Sequence, residues 1–167
     1  MRLFVVRLIL IVGAILTFRM TLGSKIAIAG VQPDLAAALV FYLTLMRGPT
    51  MGIVSGFVFG LLIDVDDPSG VGLSSLAWST TAFVTARLVS AIDVTDRLVS
   101  SAALFVFVLL AETIRALVVS GGEPTRFGLD WIRWALPTAA YTAVAVPLLL
   151  AAARATVGGS RRSRSGP

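Results

Sequence analysis

The chain has 167 residues, of which 57% are hydrophobic and 14% charged, and its formal net charge is +5. A soluble domain is about 45–50% apolar and about 25% charged, so this composition excludes a soluble globular protein with a polar surface. The absence of cysteine and histidine excludes disulfides, thiolate metal sites and histidine general bases. The length suits one domain, and the composition predicts an all-α integral membrane protein.

Six apolar segments predict a bundle of about six transmembrane helices. Their approximate bounds are 3–20, 33–46, 49–63, 69–86, 98–119 and 131–153. A full span needs about 20 residues, so the second and third segments, which are joined by a hairpin turn at Arg47, Gly48 and Pro49, are short. We expect a single transmembrane domain over 1–157 and a disordered, basic cytoplasmic tail over 158–167.

The basic residues predict how the chain crosses the membrane. With six spans and a cytoplasmic N-terminus, most of the arginines, including those of the tail, fall on the cytoplasmic side, as is usual for membrane proteins. We therefore expect a multi-pass protein of the bacterial cytoplasmic (inner) membrane with both termini in the cytoplasm. Nucleic acid is not an expected partner, because no basic face with interleaved aromatic residues is present.

Four glycines recur at every fourth position of the third segment: Gly48, Gly52, Gly56 and Gly60. This spacing places them on one face of a helix. In lipid, a glycine face allows another helix to approach closely and so favours association. Two interpretations remain open. The face packs inside the chain's own bundle, or it docks a helix of a partner protein.

Glu112 and Arg115 form a predicted intramembrane polar pair on the fifth segment, because residues three apart share a helix face. Charges within the membrane are costly and usually face the bundle interior or a cavity. One interpretation is a contact that fixes a partner or lines a cavity. The other is a pair within the helix near the outer interface, with Arg115 extending toward water.

An acidic stretch with Asp64, Asp66 and Asp67 ends the third segment. Clustered carboxylates can bind Mg²⁺ or serve an integral enzyme that acts on lipid. However, Pro68 and Gly70 follow at once and indicate a turn, in which Asp64 or Ser69 could cap a helix start. We predict no metal site, no cofactor and no catalytic residue.

The sixth segment contains features that shape and anchor a membrane helix. Pro137 and Pro147 each remove a backbone donor and predict kinks. Trp131 and Trp134 lie at its start and are typical of the aromatic belt at a membrane interface.

Between Pro33 and Leu88 the chain carries an ordered set of residues that matches a known family. The set comprises Pro33-Asp34, Tyr42, Arg47-Gly48-Pro49, Gly52, Gly56, Gly60-Leu61-Leu62-Ile63-Asp64, Pro68, Gly70-Val71-Gly72-Leu73 and Ala86-Arg87-Leu88. It resembles the MreD family of rod shape-determining membrane proteins. The chain departs from the family at Ser74 and Ser75, where a His often follows the Gly-Leu pair, so any role of that His does not carry over.

The resemblance implies a non-enzymatic member of the bacterial cell-elongation complex, with an architecture similar to the substrate-binding subunits of energy-coupling-factor transporters. It implies partners such as a single-span MreC-like protein, an actin-like MreB, a RodA-like glycosyltransferase and its penicillin-binding protein. We expect a scaffold that organises peptidoglycan synthesis through intramembrane helix contacts; self-association stays open. The alternative is a vitamin-type transporter subunit with a pocket that includes Glu112, Arg115, Tyr42 and Trp78.

Overall fold

A computed structural model describes residues 30–65, 70–89 and 96–162, besides the isolated Gly13 and Ala27, with side chains up to residue 151. The regular elements within these ranges are helices, which confirms the predicted all-α class for them. The first apolar segment lies outside the described residues, and so do Asp66 and Asp67.

Six α-helices and one π-helical turn follow one another along the described chain. They are α1 (Leu35–Arg47), α2 (Pro49–Asp64), α3 (Leu73–Val89), α4 (Arg97–Val119), α5 (Pro124–Asp130), the π turn (Trp131–Ala135) and α6 (Leu136–Arg162). The last helix passes residue 157, where the sequence places the end of the transmembrane domain. The boundary between domain and tail stays a prediction.

Consecutive long helices run in opposite directions. The start of α2 lies beside the end of α1, and the end of α2 lies beside the start of α3. The end of α4 in turn reaches the start of α3. The bundle therefore has two ends. The Arg47 end holds the α1–α2 turn, the end of α3 and the start of α4, and the Asp64 end holds the end of α2, the start of α3 and the α4–α5 turn.

The α1–α2 turn consists of one residue, Gly48, with φ 85° and ψ 179°. Positive φ is strained for residues with a Cβ and suits glycine. The N–H of Gly48 donates to the carbonyl of Thr44 at 3.0 Å and closes α1. Pro49 then opens α2 at the position where a missing N–H costs nothing. The predicted hairpin residues thus form a tight turn between two antiparallel helices.

The core lies where α1, α3 and α4 meet, and it contains large aromatic side chains. Phe41, Trp78 and Phe107 are wholly buried. The rings of Phe41 and Phe107 pack edge to face with 5.6 Å between centroids, an arrangement that aromatic quadrupoles favour.

Two helical stretches of the described chain have the length and apolarity of a membrane span: Arg97–Val119 and Pro124–Ala151. Helices α1 and α2 are apolar but have 13 and 16 residues, or about 20 and 24 Å at 1.5 Å per residue. A bilayer core is about 30 Å thick. The six-span count and the likeness to transporter subunits therefore remain predictions.

The helical stretch that corresponds to the sixth predicted segment starts at Pro124, earlier than the predicted residue 131, because α5 and the π turn lead into α6 without a break. The N–H of Leu136 donates to the carbonyl of Trp131, five residues back. This wider turn directly precedes Pro137, whose ring would crowd the carbonyl four residues before it in a regular α-helix. Pro147 lies inside α6.

Candidate functional site

Gly56 and Gly60 of α2 lie in direct contact with the backbone of α3. A methyl group added to Gly56 would lie 2.9 Å from the Ser79 nitrogen and 2.9 Å from the Trp78 carbonyl carbon. One added to Gly60 would collide with the backbone of Ser75. Real Cβ atoms do not approach other atoms so closely, so only glycine fits at both positions.

The other two glycines of the predicted stripe serve different contacts. A methyl group at Gly52 would collide with the hydroxyl of Thr44 on α1, whereas one at Gly48 would meet nothing within 4 Å. The structure thus places Gly48 in the turn, Gly52 against α1, and Gly56 and Gly60 against α3. Gly52, Gly56 and Gly60 thus pack against helices of the same chain, as the first interpretation of the glycine face expects, and docking of a partner helix on this face stays a prediction.

At the end of α2, Asp64 caps the first turn of α3. Its carboxylate is almost fully buried and accepts hydrogen bonds from the N–H of Ser74, at 3.0 and 3.2 Å, and of Ser75, at 3.4 Å. These N–H groups have no partner within their own helix, and a carboxylate also suits the positive end of the helix dipole. Because Asp64 lies one turn after Gly60, the glycine brings α3 close and the carboxylate holds it.

Arg115 extends the same cluster to α4. Its Nη1 donates to the hydroxyl of Ser74 at 3.0 Å, while half-buried Glu112 lies one turn earlier on α4. The Ser75 hydroxyl donates to the carbonyl of Phe57 on α2 at 3.0 Å. The sequence predicts Arg115 as part of a polar pair but carries no signal for Ser74, which is 41 positions away.

We call Asp64, Ser74, Ser75 and Arg115 the Asp64 cluster. It joins α2, α3 and α4 at one end of the bundle. Two further polar contacts lie at the same end. The indole N–H of Trp131 donates to the hydroxyl of Thr113 at 2.9 Å.

The second of these contacts joins α1 to α6. The N–H of Asp34, which precedes α1, donates to the hydroxyl of wholly buried Thr142 at 2.9 Å. The carboxylate of Asp34 accepts the N–H of Ala37 at 2.9 Å and so caps α1. Every long helix of the described chain is thus tied to another by a polar contact at the Asp64 end.

The family model of the rod shape-determining protein MreD matches residues 1–150 of this chain. The chain belongs to the MreD family. No curated protein and no solved structure matches it. MreD proteins are membrane proteins of the cell envelope that act in rod shape determination, and the predicted resemblance is confirmed.

In this MreD protein, the polar groups of the cluster are committed to holding helices. The Asp64 carboxylate binds backbone N–H groups, and both serine hydroxyls have partners within the chain. Among the described residues, no group of three or more His, Cys, Asp or Glu side chains could hold a metal ion. The geometry therefore suits a structural joint between helices.

The remaining transporter-pocket residues lie in packed surroundings. Trp78 is wholly buried, and the ring of Tyr42 packs edge to face on Phe41 at 5.3 Å. These contacts are those of core side chains, and they lend the transporter alternative no support.

Proposed function

We propose that this MreD protein is a non-enzymatic membrane scaffold of the cell-elongation complex. In this role it organises peptidoglycan synthesis through intramembrane contacts with MreC-like and RodA-like partners. The observation that carries the proposal is that the polar groups of the Asp64 cluster bind neighbouring helices. The carboxylate, hydroxyl and guanidinium groups that could perform chemistry instead fix α2, α3 and α4 to one another.

One surface available to a partner helix is the outward face of α2, on the side away from Gly56 and Gly60. Its exposed residues are large and apolar and follow one another at intervals of one or three positions along the helix and its C-cap. They are Val54, Phe57, Val58, Leu61, Leu62 and Val65. Because this face is continuous along the helix and the opposite face is anchored to α3, α2 can present a rigid apolar ridge within the bilayer.

Charge at the two ends supports an orientation for the scaffold. The Arg47 end carries exposed Arg47, Arg87 and Arg97 against one acidic residue, Asp96. The described residues near the Asp64 end include a majority of acidic side chains among their charged groups: Asp34, Asp64, Glu112, Glu123 and Asp130 against Arg115, Arg126 and Arg133. Because basic residues accumulate on the cytoplasmic side, we propose that the Arg47 end faces the cytoplasm and that both termini do as well.

Tryptophan substitutions on the outward face of α2 test the scaffold. Val58→Trp and Leu61→Trp keep the surface apolar, so lipid accommodates them, but they block close docking of another helix. We expect normal accumulation, reduced co-purification with the MreC-like or RodA-like partner, and loss of rod shape. The matched control is Val144→Trp on exposed α6.

If only the control abolishes partner binding, the partner face belongs to α6 instead of α2. If substitutions along the outward faces of α2, α3, α4 and α6 all leave partner binding and rod shape intact, the scaffold proposal is wrong. Gly56→Leu does not serve this purpose, because it disrupts α3 within the chain itself.

Labelling of introduced cysteines tests the orientation. The chain has no cysteines of its own that would react with the label. Thr50→Cys reports the Arg47 end and Glu123→Cys the Asp64 end, and both positions are exposed. In intact spheroplasts, a membrane-impermeant maleimide should label Glu123→Cys and should label Thr50→Cys only after lysis. The opposite pattern would reverse the proposed orientation.

A further inference from the structure

Two polar groups inside the bundle have no hydrogen-bond partner among the residues that the structure describes: Trp78 Nε1 and Thr81 Oγ1. Their residues are 0% and 1% exposed. Within a membrane bundle, where neither lipid nor bulk water can satisfy them, such groups are costly. Both belong to α3 and lie three positions apart, so they share one face of that helix.

Thr81 differs from the other threonines whose bonds are described in these helices. The hydroxyls of Thr44, Thr113 and Thr142 each donate to the carbonyl four residues earlier, at 2.7, 2.6 and 2.7 Å. This bond to the helix's own backbone is the usual way to satisfy a helical threonine away from water. Thr81 does not make it, so its hydroxyl keeps its bonding capacity for another group.

The two groups lie on a face of α3 that carries other polar side chains. Four polar side chains recur along the buried face of α3: Ser74, Trp78, Thr81 and Thr85. This face begins at the Asp64 cluster, where Ser74 binds Arg115, and passes Thr81 at the middle of the helix. On the neighbouring side, Gly56 brings the backbone of α2 against that of Trp78.

We propose that Trp78 and Thr81 form an internal hydration site that holds one water molecule on the buried face of α3. The indole N–H can only donate, whereas the hydroxyl can donate or accept. A water molecule satisfies both groups if it accepts a hydrogen bond from the indole N–H of Trp78 and either donates one to the Thr81 hydroxyl or accepts one from it. No partner helix can reach this place, because both side chains are enclosed by their own chain, and water is a small polar ligand that can both donate and accept hydrogen bonds.

A double-mutant cycle tests the site in the full-length protein in detergent or nanodiscs. Thr81→Val replaces the hydroxyl by a methyl group of equal size, and Trp78→Phe removes the N–H. We expect each to raise the unfolding equilibrium constant by about fivefold or more, and the double variant to add little to the larger single effect. Thr81→Ser, which keeps the hydroxyl, should retain the coupling to Trp78→Phe.

The matched control is Thr44→Val, since that hydroxyl is equally buried but bonds only to the carbonyl of Val40 in its own helix. It should show no coupling to Trp78→Phe. An experimental density map should place a water within about 2.7–3.2 Å of both Trp78 Nε1 and Thr81 Oγ1.

Three results would overturn the proposal. The first is a stabilised Thr81→Val variant, which would mean that the hydroxyl is simply unsatisfied. The second is strict additivity of the two substitutions. The third is a map that resolves other buried waters but shows none here, or that shows Trp78 bonded directly to Thr81.

Discussion

The α2–α3 and α4–α6 pairs join helices in different ways. Between α2 and α3, glycines place two backbones in direct contact, and a buried carboxylate closes one end. Helices α4 and α6 also pack along each other, but their buried residues, such as Leu104 on α4 and Ala139 on α6, carry side chains.

This difference indicates which helix interfaces of the bundle can tolerate substitutions. A side chain at an interface can change rotamer or shift by a few tenths of an ångström, whereas a backbone that is held by its own helical hydrogen bonds cannot. The α2–α3 pair should therefore tolerate almost no change, and the α4–α6 pair should tolerate moderate ones.

The largest effect is expected for Gly60→Ala. The added methyl group would collide with the backbone of Ser75 and lie 2.6 Å from the carbonyl carbon of Ser74, so the two helices must separate. We expect a loss of about 3 kcal/mol in the free energy of unfolding, measured by thermal or denaturant unfolding in detergent. Gly128→Ala is the control, because nothing lies within 4 Å of its added methyl group. Equal stability of the two variants would show that the backbones of α2 and α3 are not in contact.

The second-largest loss of stability is expected when the Asp64 cap of α3 is removed. Asp64→Ala leaves the first N–H groups of α3 without their acceptor, at an expected cost of about 2 kcal/mol. Asp64→Asn keeps one acceptor oxygen and should cost less. The scaffold predicts that Asp64→Asn protein, once it accumulates, still supports rod shape and partner binding. A loss of function at normal stability and abundance would instead point to a chemical role of the carboxylate.

A smaller effect is expected where α4 joins the α2–α3 pair. Arg115→Gln or Ser74→Ala removes the bond between the guanidinium and the hydroxyl, and each should cost about 1 kcal/mol. The double variant should cost little more than either single one, because the two substitutions remove the same contact. Additive effects would mean that Arg115 stabilises the protein through a different group.

The smallest effect is expected at the contact between α4 and the π turn. Trp131→Phe removes an indole N–H that donates to Thr113, but the Thr113 hydroxyl keeps its bond to the carbonyl of Leu109. We expect a loss of about 0.5 kcal/mol, again from unfolding measurements. A loss as large as that of Asp64→Ala would remove the contrast between the two regions.

Much of the fold could be predicted from the sequence. The predicted segments 33–46, 49–63 and 98–119 correspond closely to α1, α2 and α4, because apolar length and the Gly48-Pro49 turn are local signals. The start of the last helix could not be predicted as well. Residues 124–130 are polar enough to suggest a loop, and the π turn before Pro137 has no reliable sequence signature.

The sequence predicted single features of the candidate site but not which helices they join. Glycine spacing indicated a close-packing face, and the position of Asp64 allowed a cap, yet neither pattern names the helix on the other side. Gly52 contacts α1 whereas Gly56 and Gly60 contact α3, although all three lie on one face. The bond between Arg115 and Ser74 and the enclosed position of Thr81 depend on segments far apart in the chain.

By itself, the sequence determined that lipid is the solvent of this MreD protein, and where most of its described helices begin and end. Those properties follow from apolar content, proline and glycine, which act within a few residues of the backbone. Only the tertiary structure decided that Gly52 packs against α1 and Gly56 and Gly60 against α3, and that the Asp64 carboxylate caps α3. Such pairings depend on which surfaces fit at close range, and that fit is set by all the helices together.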